Sequence, residues 1–197
     1  VRIDGGSLHS FGGSVVGNIF ANTGELVLNT DGVLRTQGEV YFNGAGLKLV
    51  APQGYTTHWQ GVLLSADNVI GQAQVTTNSD WLYANAQFQS NQVFAELRRK
   101  AVTDVLADYN ATQRNSANNL ELAFQALDYG IGSPVMLGSA AKLQSSSKEQ
   151  AGAALMALSG QSQTTMKSIA LETTDALRPL LNARLQDIAV LDGPGGF

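Results

Sequence analysis

Residues 25–50 read ELVLNTDGVLRTQGEVYFNGAGLKLV, and this stretch decides the fold class. Three short apolar runs, at residues 25–28, 39–42 and 47–50, have the composition and length of β-strands. The turn-forming pairs Asp31-Gly32 and Asn43-Gly44 separate them. The stretch therefore predicts short strands joined by tight turns.

Turn-forming residues of the same kind occur back to the start of the chain. Asp4-Gly5-Gly6, Gly12-Gly13, Gly17 and Thr23-Gly24 interrupt residues 1–24 at short intervals. Regularly spaced short strands suit a sandwich, a barrel or a β-solenoid, and composition does not choose among them. The glycine spacing over residues 1–46 favours a solenoid, in which each coil stacks on its neighbour.

A stack of coils needs a cap, because its last coil leaves backbone groups unpaired and apolar surface exposed. Residues 54–97 are rich in large side chains, as expected of a capping β unit with its own small core. An ordinary sandwich edge is the alternative interpretation. Another short run, at residues 93–98, alternates like a half-buried strand. The folding-cap candidates are Tyr55, Trp59, Trp81, Tyr83, Phe88 and Phe94.

The composition becomes helical beyond about residue 100. Asn110 is a good N-cap, with Gln113 three residues later, and Gly130 is a stop signal. Ser147 and Gln150 have capping-box spacing and open a second helix that ends at Gly160. The first helix has an apolar face made of Leu120, Ala123, Phe124 and Leu127.

A third helical stretch is predicted from about Ser162 to Leu191, with a bend or fresh start near Pro179. We expect the three helices to pack together or to fold back on the β half. The sequence thus predicts an α+β chain with two domains, residues 1–100 forming the β-solenoid end and its cap, and residues 101–197 forming the helical segment.

Charge excludes one class of partner. The net charge is −4, and the only basic cluster, Arg98-Arg99-Lys100, is interpreted as a solvated turn. Nucleic-acid binding requires a positive surface that displaces counterions, so we expect no nucleic-acid partner.

No catalytic constellation emerges from the sequence. His9 and His58 are isolated, and no His/Cys cluster has metal-ligand spacing. The segment from Gly12 to Val16 lacks the second glycine of a nucleophile elbow, and no phosphate-binding loop is present. We expect no enzymatic activity of this chain, no cofactor and no metal.

The chain has no cysteine, which suits a protein that crosses an oxidising compartment unfolded. No apolar run approaches the roughly 18–20 residues that a membrane-spanning helix needs. No signal peptide is visible and the sequence starts at Val1, so we expect it to be part of a longer protein.

Several motifs carry a resemblance to a known family. Upstream they are residues 55–72 (YTTHWQGVLLSADNVIGQ), 93–97 (VFAEL) and 110–114 (NATQR); downstream they are 152–161 (GAALMALSGQ), 169–178 (IALETTDALR) and 182–185 (NARL). In this order, over residues 47–185, they resemble the segment that precedes the outer-membrane barrel of bacterial autotransporters, the proteins of type V secretion. Gln161 replaces the usual acidic residue, and Pro179 departs from the usual uninterrupted helix. The residues that carry the linker-helix motif are Leu155, Leu158, Ser159, Gly160, Leu171, Glu172, Arg178 and Arg184.

The resemblance implies a passenger that is threaded outward and folds outside the cell as a right-handed parallel β-helix. It implies an autochaperone-like region at about Leu47–Lys100 and a linker that leads to the barrel. The implied function is a non-catalytic stem that supports secretion and folding of an upstream effector at the cell surface or outer membrane, either retained or released. The implied partners are the chain's own barrel, the upstream passenger, the barrel-assembly machinery and periplasmic chaperones.

Two other functions stay open. One is a surface adhesin or self-associating β-solenoid, which low charge and many polar side chains would permit. The other is the scaffold of a secreted subtilisin-like protease or esterase whose catalytic domain lies upstream.

Overall fold

The computed structural model describes residues 1–108 and 111–154. Contacts divide the chain into two compact units, Val1–Gly152 and Ala153–Phe197. Among the described residues, the first unit has eleven strands: β1 Arg2–Ser10, β2 Gly13–Val16, β3 Ile19–Asn29, β4 Leu34–Gln37, β5 Glu39–Phe42, β6 Gly46–Val50, β7 His58–Ser65, β8 Asn68–Gly71, β9 Val75–Thr77, β10 Leu82–Phe88 and β11 Gln92–Arg99. The four runs predicted as strands lie within β3, β5, β6 and β11, which confirms them.

The strands form two sheets. The six-stranded sheet has the order β8-β5-β3-β6-β9, with β1 also paired to β3, and all its pairs are parallel. The five-stranded sheet has the order β10-β11-β7-β4-β2 and is mixed. In it β2, β4 and β7 pair in parallel, whereas β7, β11 and β10 pair antiparallel.

The predicted end of a parallel β-solenoid with a capping unit is wrong. The chain has the α+β mix, but its strands make two sheets, one all-parallel and one mixed. The expected cap is not separate either, because β7 pairs with β4 and β9 pairs with β6 of the preceding stretch. Glycine spacing predicts where strands end, whereas pairing direction depends on the next turn. At residues 89–92 the Gln89 amide donates to the Gln92 carbonyl, and the chain returns antiparallel.

Apolar side chains at matching register positions build the core. Leu26 lies opposite Leu47, and Leu28 lies opposite Leu49, in neighbouring parallel strands. All four are buried, because alternate residues of a strand point to the same face. The second sheet contributes its own buried residues, among them Leu34, Leu63, Leu64, Val93 and Leu97.

One glycine allows close contact between β1 and β3. Gly24 has a φ of +88°, and a Cβ there would lie 2.3 Å from the carbonyl oxygen of Gly6. No other residue fits such an approach, so the glycine pattern of residues 1–46 reflects strand packing here as well as turns.

The described helices are α1 Val102–Val105, α2 Ala111–Asp128 and α3 Pro134–Gln144, and residues 148–154 are also helical. The predicted face of α2 is confirmed, with Phe124 and Leu127 buried and Leu120 and Ala123 half-buried. Gly130 ends α2 as predicted. It has a positive φ of 74°, its amide donates to the Leu127 carbonyl, and the next amide donates to Ala126, which is the Schellman arrangement.

The capping box of the next helix is confirmed. The Ser147 amide donates to Gln150 Oε1 at 3.1 Å, and the Gln150 amide donates to Ser147 Oγ at 3.3 Å. Helix α3 was not predicted from the sequence, although Ser133 and Pro134 are a cap and a first-turn residue. The predicted cap Asn110, the stop at Gly160 and the bend at Pro179 lie outside the described residues.

In the part of the chain that the structure describes, no helix has both the length and the hydropathy needed to cross a bilayer.

Candidate functional site

The most highly organised group of polar residues lies where the helices meet the end of the mixed sheet. We call Tyr55, Thr57, Arg99, Glu121 and Asp128 the docking cluster. It joins three separate segments: the loop before β7, the last residue of β11, and helix α2.

Arg99 is directed inward by the alternation of β11. Val93, Ala95 and Leu97 are buried, and Arg99 follows at the same parity, with only 9% of its side chain exposed. Arg98 points the other way and is 68% exposed. The interpretation of Arg98-Arg99-Lys100 as a solvated turn is therefore wrong for Arg99. The burial of Arg99 could have been predicted from its place in the strand, because alternate residues face the same side and Arg99 follows the apolar residues at every second position.

Two carboxylates of α2 hold the guanidinium. Glu121 and Asp128 are seven residues apart, which is about two turns, so they lie on one face of the helix. Arg99 Nη1 and Nη2 donate to the two oxygens of Glu121 at 3.0 and 2.9 Å. Its Nε and Nη2 donate to Asp128 Oδ2 at 3.0 and 2.6 Å. Nη1 also donates to the carbonyl of Lys100 at 2.9 Å, so every guanidinium nitrogen has an acceptor.

The carboxylates are also satisfied by other donors. The Val102 amide, at the start of α1, donates to Glu121 Oε2 at 2.7 Å. The Tyr55 hydroxyl and the Thr57 hydroxyl donate to Asp128 Oδ1 at 2.6 and 2.9 Å. A buried ion pair is tolerated when its remaining polar atoms are hydrogen-bonded in this way.

An aromatic group packs beside these charges. The Phe124 ring lies between Glu121 and Asp128 along α2, and its centroid is 5.5 Å from the guanidinium carbon of Arg99. The ring centroids of Tyr55 and Trp81 are 5.3 and 6.4 Å from that of Phe124. These contacts reduce the access of water to the ion pairs and pack α2 against the sheet.

A second set of hydrogen bonds attaches the end of α3. Gln144, which is buried, accepts from the Thr56 amide and donates to the Thr56 carbonyl, each at 2.7 Å. The indole nitrogen of Trp81 donates to the Ser146 carbonyl at 2.9 Å, and Ser79 Oγ donates to the Gln144 carbonyl at 2.8 Å. The helical segment is thus bound to the sheet end at two places.

In the docking cluster, the surroundings favour the charged forms of Arg99, Glu121 and Asp128 and the neutral form of Tyr55. Burial opposes ionisation of Glu121 and Asp128, but hydrogen bonds from Arg99 outweigh it and hold the pKa of each carboxyl below its usual value. Burial would likewise lower the pKa of Arg99, and its bonds to Glu121 and Asp128 raise it instead. Burial, with the bond to Asp128, raises the pKa of Tyr55, so this hydroxyl stays protonated.

This arrangement is suited to holding α2 against the sheet rather than to catalysis. The guanidinium donors are occupied and the Tyr55 hydroxyl is held as a donor, so no group in the cluster is available as a nucleophile, base or anion receptor. Among the described residues, no set of three or more His, Cys, Asp or Glu side chains is placed to hold a metal ion.

The six folding-cap candidates do not form one cluster. Tyr55 and Trp81 meet around Phe124, and Trp81 is fully buried. Phe88 instead contacts Phe42 of the six-stranded sheet, with ring centroids 5.2 Å apart. Three others lie elsewhere: Trp59 packs half-buried against the core, Phe94 is half-buried in β11, and Tyr83 is 55% exposed under the Lys100 ammonium.

The linker-helix motif residues lie outside the described part of the chain. These are Leu155, Leu158, Ser159, Gly160, Leu171, Glu172, Arg178 and Arg184.

No family model, no curated protein and no solved structure matches this chain.

The docking cluster predicts a specific pH dependence of stability. The usual pKa values are 4.5 for Glu121 and 3.8 for Asp128, and the folded values lie lower. Between the folded and unfolded values the unfolded chain binds more protons, so the free energy of unfolding falls as pH drops through this window. The contribution is complete above about pH 5.5.

Urea unfolding between pH 3 and pH 7 measures this effect. Glu121→Gln removes one titrating group, and the variant should show a shallower loss of stability in acid than the wild type. Equal pH slopes for the two proteins would contradict the assignment.

Proposed function

We propose that the chain is the non-catalytic stem and linker of a bacterial autotransporter passenger. We further propose that the elements joined by the docking cluster, namely the loop before β7, β11 and α2, fold first at the cell surface, and we call them the folding seed. The ordered motifs over residues 47–185 support the family assignment. One structural observation supports the seed most directly: Tyr55 in the first matched motif meets two residues that follow the next two motifs, Arg99 and Asp128, in a single largely buried cluster.

The convergence can be followed along the chain. Tyr55 opens the first matched motif, Arg99 comes two residues after the motif at 93–97, and Asp128 ends the helix that the third motif begins. Tyr55 and Arg99 both bind Asp128, so the cluster is complete only when the loop before β7, the end of β11 and α2 are all folded. A segment of this kind gains stability cooperatively, as a nucleus must.

A seed at this position has a physical use. Residues that emerge from a secretion pore have no folded neighbour, so the first strands to pair must supply their own buried surface. Trp81, Phe124 and the inward side of β11 supply it here. Folding of the remaining passenger on this seed would then prevent the chain from moving back through the pore, without an energy source at the cell surface.

One group of polar side chains on the six-stranded sheet bears on the adhesin alternative. Asp4, Asn22 and Asn43 form a hydrogen-bonded ladder across β1, β3 and the end of β5, with side-chain distances of 2.7 and 3.0 Å. These groups bond mainly to one another, which uses hydrogen-bonding capacity that contacts between cells would need. The ladder therefore favours sheet cohesion over adhesion.

The coding sequence on both sides of residues 1–197 tests the family assignment. We expect the downstream part to encode segments of about 10 residues with alternating hydrophobicity, separated by turns and flanked by aromatic residues, as in an outer-membrane barrel. The upstream part should encode the effector. A stop codon shortly after Phe197 would contradict the proposal and leave a free surface or binding protein.

A further inference from the structure

The connection between α2 and α3, together with the first turn of α3, forms an exposed apolar segment. We call residues 129–137, with the sequence YGIGSPVML, the apolar tip. Tyr129 is 82% exposed, Val135 77% and Ile131 67%, and Met136 and Leu137 are exposed as well. Soluble proteins rarely expose several large apolar side chains in one short segment without a binding role.

The tip is exposed along its whole length. Every residue from 129 to 139 is exposed, which includes the first six residues of α3. A helix completes a turn in 3.6 residues, so six successive exposed positions mean that no face of its first half is buried, although Met136 and Leu137 are only 39% and 43% exposed. The buried contacts of α3 begin only at Ala140.

The tip carries no charge. No charged residue lies between Asp128, which is bound to Arg99, and Lys142 in the last turn of α3. An exposed surface without charge is complementary to an apolar, uncharged partner. It gives no means of attracting an acidic or basic protein surface.

Most of the backbone amides of the tip are satisfied internally. The amides of residues 129, 130 and 131 donate to carbonyls of α2, and Met136 and Leu137 donate to Ser133. Pro134 has no amide hydrogen. Hydrogen bonds made by these amides within the chain matter most when the partner offers no acceptors of its own, as in the acyl region of a bilayer. Tyr129 adds an amphipathic ring of the kind enriched at the membrane–water interface.

From these four observations we propose that the apolar tip inserts shallowly into a lipid bilayer surface. Contact is made by Tyr129, Ile131, Val135 and the two residues that follow. Insertion is driven by burial of apolar side chains and not by electrostatic attraction, since the protein is acidic overall and the tip is uncharged. This inference does not rest on the proposed function, because pure lipid vesicles can test it.

The absence of cysteine makes a site-specific test possible. Val135→Cys, in the full chain, is labelled with an environment-sensitive fluorophore and mixed with vesicles of phosphatidylcholine and phosphatidylethanolamine. Val16→Cys, at a position that is 85% exposed in β2, is the matched control. We expect a blue shift and brighter emission at position 135 and no change at position 16, and we expect high salt to leave the result intact.

A flotation assay with the same vesicles tests the side chains. Replacing Tyr129, Ile131 and Val135 together by serine should lower vesicle association about tenfold or more. Phe11→Ser with Val16→Ser removes apolar exposure at another place and should leave association unchanged. Circular dichroism establishes that both variants are folded.

Three results would overturn the proposal. The first is no vesicle association by the wild-type chain, and the second is equal loss in the two serine variants. The third is a wild-type dimer in sedimentation that only the tip variant abolishes, without any vesicle response. That third result would make the tip a surface for a second copy of this chain.

Discussion

Trp81→Ala should lower the free energy of unfolding by about 3–5 kcal/mol, the range for truncating a fully buried tryptophan. Trp81 has no exposed surface, packs edge-on against Phe124, and donates its indole N–H to Ser146. The alanine variant would leave a cavity and a carbonyl without its donor. The effect would be measured as the shift in urea-unfolding midpoint followed by circular dichroism.

Two further variants separate the contributions of Trp81. Trp81→Phe keeps an aromatic ring and loses the indole donor, so its cost should lie clearly below that of alanine. Tyr83→Ala, two positions along the chain and 55% exposed, should cost less than about 1 kcal/mol. Equal destabilisation by Trp81→Ala and Tyr83→Ala would contradict the buried packing of Trp81 against α2.

Arg99→Met should lower the free energy of unfolding by about 2–4 kcal/mol. Removing one member of a buried ion pair typically costs about 3–5 kcal/mol, because it leaves a charge without a partner. In this cluster two carboxylates, Glu121 and Asp128, would lose their partner together. The expected value is somewhat smaller because 19% of the Asp128 side chain is in contact with water.

The neighbouring arginine supplies the matched control. Arg98→Met makes the same chemical change at a side chain that is 68% exposed, and its ion pair with Glu96 should contribute no more than about 1 kcal/mol. Similar unfolding midpoints for Arg98→Met and Arg99→Met would show that the docking cluster does not hold α2 on the sheet.

The sequence was sufficient to predict local elements where one physical signal dominates. The strands at residues 39–42 and 47–50 followed from short apolar runs between turn residues. The end of α2 followed from Gly130, and the next helix start followed from the reciprocal bonds of Ser147 and Gln150. Each of these signals is contained within about four residues.

Features that depend on distant residues were missed or predicted wrongly. The antiparallel pairing of β11 with β7 joins distant residues, from Gln92 with Ser65 to Arg98 with His58, and it makes the second sheet mixed where a solenoid was expected. Arg99 was interpreted as solvated because a charge cluster is usually exposed. Its burial depends on Glu121 and Asp128, which approach only after α2 packs.

Helix α3 was missed for a different reason. Its cap, Ser133, and its first-turn proline, Pro134, are standard signals, but the residues that follow carry no amphipathic pattern. No residue in the first half of α3 is buried, so no buried face imposes a period on its sequence.

Protease resistance of the proposed passenger at the cell surface tests the proposed function most directly. The full coding sequence that contains residues 1–197 is expressed in a Gram-negative host with either Arg99→Met or Arg98→Met. We expect both variants to reach the surface. Arg98→Met should be as protease-resistant as the wild type, and Arg99→Met should be protease-sensitive. A fully resistant Arg99→Met passenger would contradict the claim that the docking cluster stabilises the folding seed.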